Sequence, residues 1–309
     1  MPTKTIRIAT RTSPLAIWQA EHVARELHAI HSDLNIELVK MVTQGDRILD
    51  TSLSKVGGKG LFVKELEHGM LNDQADIAVH SMKDVPVQIP DGLCMQVIMQ
   101  RENPHDAFVS NHYQNLAELP KNARVGTSSL RRASQIKVRY PGLEILDCRG
   151  NVNTRLKKLD DNQYDAIILA VAGLKRLGMN ERIAGQLSIE ESLPAIGQGA
   201  IGIECRDDDQ ELHQLLHRLN HAPTAVCVSA ERTMNARLGG SCSVPIAGHA
   251  IIEKDEVYLQ GLIAAPDGSA IYVAEASGIE PEQTGLAVAE GLLEQGAGKV
   301  LQALGLPGV

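Results

Sequence analysis

The feature that most constrains the fold of this chain is an alternation of strand-like and helix-like segments along its first two thirds. IRIAT, residues 6–10, has the pattern of a buried strand, and residues 13–30 follow with apolar residues at helical spacing. ARVGT, LEILDC and YDAIIL are further apolar segments, and each precedes a segment of helical pattern. Such alternation is typical of α/β folds with largely parallel sheets, which we predict here.

The last third of the chain has a different pattern. Residues 222–240 have a helical pattern that ends in a glycine pair, and IAGHAIIE, EVYLQGLIAA and AIYVAEASG follow as strand-like segments. KD and PDG, which separate these segments, are typical of tight turns, so we predict an antiparallel three-stranded sheet. A closing helix is predicted over residues 282–304. Residues 222–309 are therefore predicted to form a small α+β domain.

Composition and charge exclude several classes of protein. The chain is 43% hydrophobic and 22% charged, which is ordinary for a globular protein. Its net charge of −8 disfavours general binding to nucleic acids or anionic membranes. The first residues contain no apolar segment of the kind a secretory signal needs, and five irregularly placed cysteines suit a reducing compartment. We expect a cytoplasmic protein and, since no cysteine–histidine cluster has zinc-ligand spacing, no structural metal.

Basic residues recur where the predicted strands end. They are Arg11, Lys83, Arg131, Arg132, Arg149, Arg155 and Arg176. Ligands of open α/β sheets bind outside the carboxyl ends of the strands, where helix N-termini also favour anions. Each residue alone could be an ordinary solvated charge. Their recurrence favours a ligand with several carboxylates or phosphates.

Asp84 directly follows a strongly apolar strand, in the segment HSMKDVP. It could be a turn residue, because aspartate is common in loops before an X-Pro pair. It could also be a carboxylate at the ligand-binding end of the sheet, able to transfer protons or stabilise a developing cation. The residues by themselves leave both interpretations open. His80, within the strand, is expected to be structural.

Cys242 differs from the other four cysteines of the chain. Those four lie within or at the end of apolar segments, where a free thiol behaves as a small core side chain. Cys242 instead follows Gly239, Gly240 and Ser241, so a large group could approach its sulfur. A second glycine-rich stretch, VGGKG at residues 56–60, is either a mobile lid or an ordinary flexible loop.

Seven motifs occur together in an order that resembles the porphobilinogen deaminase family. They are IATRTSPLA, HSMKDVP, VGTSSLRR, RGNVNTR, DAIILAVAGLKRLG, LPAIGQGAIGIE and the Cys242 loop. The resemblance covers nearly the whole chain. Ser241 and Ser134 depart from the glycine and alanine that are common in the family, and neither change removes a functional group.

The resemblance implies a reaction and a cofactor. Porphobilinogen units are joined head to tail with loss of ammonia, giving the linear tetrapyrrole hydroxymethylbilane for haem and related pigments. By resemblance, Cys242 carries a dipyrromethane cofactor through a thioether, and the product grows from this primer. Cysteine suits this attachment because a thiolate is a strong nucleophile toward an electrophilic methylene. The acetate and propionate of every pyrrole match the recurring arginines.

The resemblance also implies roles for individual residues. Asp84 would be catalytic, stabilising the azafulvenium-like cation left by ammonia loss and managing pyrrole N–H protons. Besides Cys242, the cofactor would be held by Lys55, Ser81, Lys83, Thr127, Ser129, Arg131, Arg132 and Arg155. Porphobilinogen, the small-molecule substrate, and the growing chain would contact Arg11, Ser13, Phe62, Arg149, Arg176 and Gln198.

The family fold implies three domains, the first two resembling type II periplasmic binding proteins with the active site in the cleft between them. Turn-rich connectors at residues 100–107 and 191–200 fit two crossings between domains. The expected domains are 1–99 with 200–217, 105–193, and 222–309. The resemblance, and not the residue pattern, supplies the return of 200–217 to the first domain, and it suggests a monomer.

Three other classes of protein are alternatives. A non-catalytic anion-binding protein of the periplasmic type explains the arginines, but it predicts a signal peptide and leaves Cys242 without a role. An effector-binding regulator would need a DNA-binding helix-turn-helix, for which no segment is spare. A thiol redox enzyme would need a resolving cysteine near Cys242 in sequence, and there is none.

Overall fold

The computed structural model describes residues 5–47, 60–241 and 244–306. Cys242, Lys55 and the first residues of the predicted lid, 56–59, lie outside these residues. The described chain divides into two compact units. Unit 1 holds residues 5–47, 60–102 and 200–225, and unit 2 holds residues 103–199, 226–241 and 244–306.

Unit 1 is built on a five-stranded sheet in the order β2-β1-β3-β10-β4. Its elements are β1 (Thr5–Arg11), α1 (Pro14–Ile30), β2 (Asn35–Met41), α2 (Gln44–Arg47), α3 (Lys64–Leu71), β3 (Ile77–Ser81), β4 (Leu93–Ile98), β10 (Ile201–Arg206) and α7 (Gln210–Leu216). Strands β1, β2 and β3 are parallel, whereas β10 is antiparallel to both β3 and β4. The sheet is therefore mixed, because β10 runs opposite to the other four strands, which all run in one direction as the predicted largely parallel arrangement requires.

Helix α1 shows how local sequence builds unit 1. The Ser13 hydroxyl accepts a hydrogen bond from the Ala16 N–H, and Pro14 occupies the first turn, where its missing N–H costs nothing. The buried face of the helix includes Ala20, Val23 and Leu27, which join the core formed by the apolar residues of β1, β3 and β10. This packing fixes the strand ends that position the candidate site.

Unit 2 contains a second five-stranded sheet in the order β7-β6-β8-β5-β9. Its elements are β5 (Asp106–Val109), β6 (Arg124–Gly126), α4 (Leu130–Arg139), β7 (Glu144–Leu146), α5 (Val152–Asp160), β8 (Ala166–Ala170), α6 (Val171–Arg176) and β9 (Gly185–Gln186). Strands β6, β7 and β8 are parallel, and β5 is antiparallel to its neighbours β8 and β9. Short 3₁₀ helices cover Met82–Asp84 and His217–Leu219 in unit 1, and Leu116–Glu118 and Asn180–Arg182 in unit 2.

The C-terminal segment forms the predicted antiparallel sheet. Its elements are α8 (Ala222–Arg237), β11 (Ile246–Glu253), β12 (Glu256–Ala264), β13 (Ile271–Gly278), α9 (Pro281–Glu294) and α10 (Gly298–Ala303). Lys254 and Asp255 both have positive φ, as a two-residue hairpin turn requires. The closing helix is interrupted, because Gly296 adopts a φ of 100° and ends the first part.

The predicted α/β class and the small antiparallel sheet are confirmed. The chain passes from unit 1 to unit 2 after residue 102 and returns after residue 199, within the two turn-rich connectors. Residues 226–241 and 244–306 belong to the same unit as residues 103–199. The division into three domains stays a prediction. Among the described residues, none of the helices combines the length and apolarity needed to cross a membrane.

Candidate functional site

In unit 1, the candidate residues follow the carboxyl ends of the parallel strands. Arg11 is the last residue of β1, Ser81 is the last residue of β3, and Lys83 and Asp84 lie in the 3₁₀ turn after it. Because parallel strands end at one edge of a sheet, this topology brings Arg11 and the Ser81–Asp84 segment to the same edge. This edge is the expected ligand-binding end of unit 1.

Arg11 is held in place by two neighbours. Its Nε donates to Asp46 Oδ2 at 3.2 Å, and its guanidinium lies over the Phe62 ring, 4.2 Å from the centroid. Burial would raise the pKa of Asp46, but the hydrogen bond and charge of Arg11 outweigh it, so the carboxyl pKa is lowered. Asp46 was not recognised in the sequence. It keeps Arg11 ordered and reduces the net positive charge that Arg11 offers to an acidic ligand.

Asp84 is half-buried, and the turn that carries it is anchored on both sides. The buried Met82 N–H donates to the Ala200 carbonyl at 3.0 Å, and the Val85 N–H closes the turn on the Met82 carbonyl at 3.2 Å. Just before the turn, Ser81 Oγ accepts a hydrogen bond of 2.8 Å from the buried Gln19 Nε2. These contacts fix the backbone on which Asp84 is presented, whichever role its carboxylate has.

Beneath this turn lies a buried hydrogen-bonded pair. His80 Nε2 and Glu204 Oε2 are 2.9 Å apart, and their side chains are 3% and 2% exposed. Burial and the nearby charge of Glu204 raise the pKa of Glu67, a second buried acid, on α3. The predicted structural role of His80 fits this position, because the pair joins β3 to β10 in the middle of the sheet.

In unit 2, candidate residues follow the parallel strands β6, β7 and β8. Thr127 and Ser129 follow β6, and Arg149 follows β7. Thr127 Oγ1 accepts from the Ser129 N–H at 3.2 Å, and Ser129 Oγ caps α4 by accepting from the Arg132 N–H at 3.4 Å. The VGTSSLRR motif thus forms a strand, a capped turn and the first turn of a helix at the ligand-binding edge.

Arg131 and Arg132 are buried and bind one carboxylate of the protein itself. Asp106, fully buried at the start of β5, accepts from Arg131 Nη1 at 2.8 Å and from Arg132 Nη2 at 2.7 Å. Ser192 Oγ and Gln198 Nε2 also donate to Asp106, at 2.7 and 2.9 Å. Two guanidiniums against one carboxylate leave one net positive charge in this cluster.

Asp106 was missed in the sequence, where it is only an acidic residue before the apolar segment AFV. Burial would raise its pKa, but the charges and hydrogen bonds of Arg131 and Arg132 outweigh burial and hold the pKa far below its ordinary value. The stabilisation from this carboxylate is therefore complete above the ordinary carboxyl pKa. It is lost only as the pH falls toward the depressed value of the folded state.

We expect Asp106→Asn to lower the free energy of unfolding by about 3–5 kcal/mol, because it leaves two buried guanidiniums without a counter-charge. Urea unfolding near pH 7 measures this loss. Asp165→Asn is the matched control, since Asp165 pairs with Arg124 at the surface, where solvent screens the pair. Equal losses in the two variants would contradict the assignment of Asp106 as the counter-ion of the pair.

Three buried donors of unit 2 have no hydrogen-bond partner among the described residues. They are Ser128 Oγ, Arg131 Nε and Arg149 Nη1. Ser128 lies just after β6 and Arg149 just after β7, its parallel neighbour. An unpaired buried donor costs about 1–3 kcal/mol, so such donors are rare unless a ligand completes them. This donor set suits a ligand that carries carboxylates.

The remaining candidates of unit 2 are engaged with backbone carbonyls. Arg155 Nε donates to the Gly150 carbonyl at 2.8 Å, Arg176 Nη2 to the Gly199 carbonyl at 2.7 Å, and Gln198 Nε2 to the Pro104 carbonyl at 2.6 Å. Gly150 has a φ of 110°, and a Cβ there would lie 2.7 Å from Thr154 Cγ2. The RGN turn therefore requires glycine between Arg149 and the N-cap Asn151 of α5.

Two models of protein families match this chain. The model described as "Porphobilinogen deaminase, dipyromethane cofactor binding domain" matches residues 6–214. The model described as "Porphobilinogen deaminase, C-terminal domain" matches residues 225–294. The first match alone covers more than half of the chain and includes all the candidate residues of both edges.

Solved structures similar to this chain include periplasmic binding proteins. A periplasmic substrate-binding protein of an ABC transporter from Coxiella burnetii is 12% identical, with a TM-score of 0.45, over 74% of this chain and 96% of that chain. A nutrient binding protein from Burkholderia cenocepacia bound to methionine is 12% identical, with a TM-score of 0.43, over 69% and 90%. The periplasmic aliphatic sulphonate binding protein of Escherichia coli is 11% identical, with a TM-score of 0.41, over 76% and 70%. Nothing about the ligand of this chain follows from likeness at this level.

Proposed function

This chain belongs to the porphobilinogen deaminase family, and we propose that Asp84 is its catalytic carboxylate and Cys242 the attachment point of its cofactor. The family activity is that of a transferase, a hydroxymethylbilane synthase in tetrapyrrole and haem biosynthesis. It joins four porphobilinogen molecules head to tail, releases ammonia and forms hydroxymethylbilane. The cofactor of the family is a dipyrromethane.

The unpaired donors of unit 2 are the observation that carries this proposal. Ser128 Oγ, Arg131 Nε and Arg149 Nη1 are buried at one edge of the sheet and have no partner within the described chain. The dipyrromethane and porphobilinogen both carry acetate and propionate groups, which are the acceptors that such donors lack. The net positive charge left by Arg131, Arg132 and Asp106 favours the same anions. The residues present therefore fit the cofactor.

The arginine pair contributes in two different ways. Each of the three Arg132 side-chain nitrogens donates to a group of the protein, namely Asp106 or the Ile168 carbonyl. Arg132 therefore contributes its positive charge to the proposed cofactor site and helps to hold Asp106 in place. Arg131 has Nε left to donate to a carboxylate. Thr127 and Ser129 hold the turn that places both arginines. The remaining proposed cofactor contacts are Lys55, Ser81, Lys83 and Arg155.

The substrate is handled by a second group of residues. When bound, the dipyrromethane supplies the terminal α-carbon from which the product grows. Asp84 stabilises the positive charge that develops on porphobilinogen as ammonia leaves, and it accepts a pyrrole N–H proton. The remaining proposed contacts with substrate carboxylates and rings come from Arg11, Ser13, Phe62, Arg149, Arg176 and Gln198. We further propose that the protein is a cytoplasmic monomer. Its three proposed domains are those predicted from the sequence, namely 1–99 with 200–217, 105–193, and 222–309.

Product stoichiometry and intact mass test this proposal together. The purified protein, given porphobilinogen, is expected to release four ammonia molecules for each hydroxymethylbilane formed. Its native mass is expected to exceed the 33.4 kDa of the sequence by two pyrrole units. A protein of unmodified mass that still forms hydroxymethylbilane would contradict the covalent cofactor.

Arg149→Gln is expected to lower kcat/KM for porphobilinogen by about 10- to 100-fold, because a charge-assisted hydrogen bond contributes about 1.5–3 kcal/mol. Steady-state assays measure this change, and thermal unfolding should stay close to wild type because Arg149 Nη1 has no partner among the described residues to lose. Arg139→Gln is the matched control, since Arg139 is exposed on the last turn of α4. Unchanged kinetics in Arg149→Gln would remove Arg149 from the substrate contacts.

A further inference from the structure

Two cysteines and a histidine that are distant in sequence meet beside β4, the outermost strand of the unit 1 sheet. Cys94 on β4 and Cys205 on β10 are directly opposite each other, and His213 lies on α7. The Cys94 and Cys205 Sγ atoms are 3.9 Å apart, and Cys94 Sγ is 3.7 Å from His213 Nε2. All three potential ligand atoms lie within 4.8 Å of one another.

These distances match the edges of a zinc tetrahedron. With Zn–S near 2.3 Å and Zn–N near 2.0–2.1 Å, tetrahedral geometry places two sulfurs about 3.8 Å apart and a sulfur and a nitrogen about 3.6 Å apart. The two Cys94 separations exceed these values by about 0.1 Å. The third separation, between the ligand atoms of Cys205 and His213, is within 4.8 Å, so a local adjustment of side chains brings all three atoms within reach of one ion. Two thiolates with one imidazole are also the ligands that select zinc among common divalent ions.

The charged groups around the cluster are the carboxylates of Glu204, Asp207 and Asp209 and the opposing guanidinium of Arg206. Burial, together with the charges of Asp207 and Glu204, raises the pKa of Cys94. Burial, the Cys94 thiol and Asp209 raise the pKa of Cys205 in the same way. Carboxylates that disfavour deprotonation of a thiol also attract a divalent cation. Once bound, the cation stabilises the thiolate form of both cysteines and so lowers the pKa of each thiol.

We propose that Cys94, Cys205 and His213 form a zinc site with a fourth position open to water. Cys94 and His213 are partly exposed, which gives the ion a route to the cluster. Binding releases one proton from each thiol to solvent. His213 Nε2 gives up its 2.9 Å hydrogen bond to the Arg206 carbonyl, and its proton is carried on Nδ1 instead. The expectation of no structural metal rested on spacing along the chain, which cannot reveal ligands 111 residues apart.

The site would join two parts of unit 1 that are far apart in sequence. Strand β4 precedes the passage of the chain into unit 2, whereas β10 and α7 follow its return. A metal bound to all three elements would hold the segment that returns to unit 1, which contains β10 and α7, to strand β4. The same segment carries Glu204, the partner of His80 beneath the Asp84 turn. The ion would thus stabilise the support of the candidate catalytic residue without contacting substrate.

Cobalt and zinc titrations of the cofactor-loaded protein test this proposal. Co²⁺ is expected to bind one per chain with a thiolate-to-metal charge-transfer band, and Zn²⁺ to displace it and raise the unfolding temperature. Cys94→Ser should weaken binding by more than the roughly 10–100-fold caused by loss of an outer-shell partner, and should reduce the band. His213→Gln should weaken binding but keep the band. Cys227→Ser, which changes a buried thiol of unit 2, is the control and should behave as wild type.

Two results would overturn the zinc site. One is binding of Co²⁺ by Cys94→Ser with wild-type affinity and an unchanged band. The other is a wild-type protein, reduced and then exposed to air, that takes up no metal and becomes lighter by two hydrogens through a Cys94–Cys205 disulfide. Circular dichroism of Cys94→Ser before titration establishes that the variant is folded, so that lost binding reports on the ligand.

Discussion

Cys242→Ser is expected to abolish hydroxymethylbilane synthesis and to give a protein with the unmodified sequence mass of 33.4 kDa. Serine is nearly isosteric with cysteine, but its hydroxyl stays protonated near neutral pH and is a far weaker nucleophile than a thiolate. Without the thioether there is no tethered primer from which the tetrapyrrole can grow. Intact mass and product formation, measured on one preparation, report both losses.

Four other cysteines provide matched controls for this substitution. Serine at Cys94, Cys148, Cys205 or Cys227 should retain the added mass and the activity, because these thiols lie within the packed units and none of them is the proposed attachment point. A Cys242→Ser protein that still carries two pyrrole units would assign the attachment to another residue. A loaded but inactive Cys227→Ser protein would likewise be inconsistent with the proposal.

Asp84→Asn is expected to reduce turnover by about 100-fold or more, the scale for loss of one preorganised electrostatic group in an active site. Asparagine preserves the size of the side chain and suits the same turn, so the Met82–Asp84 helix and its hydrogen bonds to Ala200 and Val85 should persist. The substitution therefore removes the negative charge of the side chain and keeps its shape. Single-turnover release of ammonia, with cofactor loading checked by mass, measures its effect.

Asp84→Glu separates charge from position. Glutamate keeps the carboxylate but displaces it by one methylene, so we expect slow turnover and accumulation of enzyme-bound intermediates. Loading should persist at least partly in both variants, because priming can use a preformed product. Wild-type ammonia release by fully loaded Asp84→Asn would show that Asp84 is a turn residue, which is the alternative that the sequence left open.

Much of the fold could be predicted from sequence because its signals are local. The Ser13 cap, the Lys254–Asp255 turn and the alternating apolar segments each depend on a few neighbouring residues. Basic residues at strand ends could be predicted for the same reason, since a parallel strand always delivers the next residue to one edge of its sheet. Seven motifs in order then indicated the family, which the matches over residues 6–214 and 225–294 confirm.

Other features were decided only by tertiary structure, because they depend on pairings across many residues. Sequence could place Arg131 and Arg132 at the start of a helix, but only the antiparallel pairing of β5 with β8 brings Asp106 under both guanidiniums. In the same way, the insertion of β10 between β3 and β4 pairs His80 with Glu204 and sets Cys94 opposite Cys205. Burial then determines what these groups can do, since the same charges would be screened and nearly inert at the surface. The sequence by itself therefore determined which residues reach the ligand-binding edges, and the tertiary structure decided which of them are already bound to the protein and which remain available to a ligand.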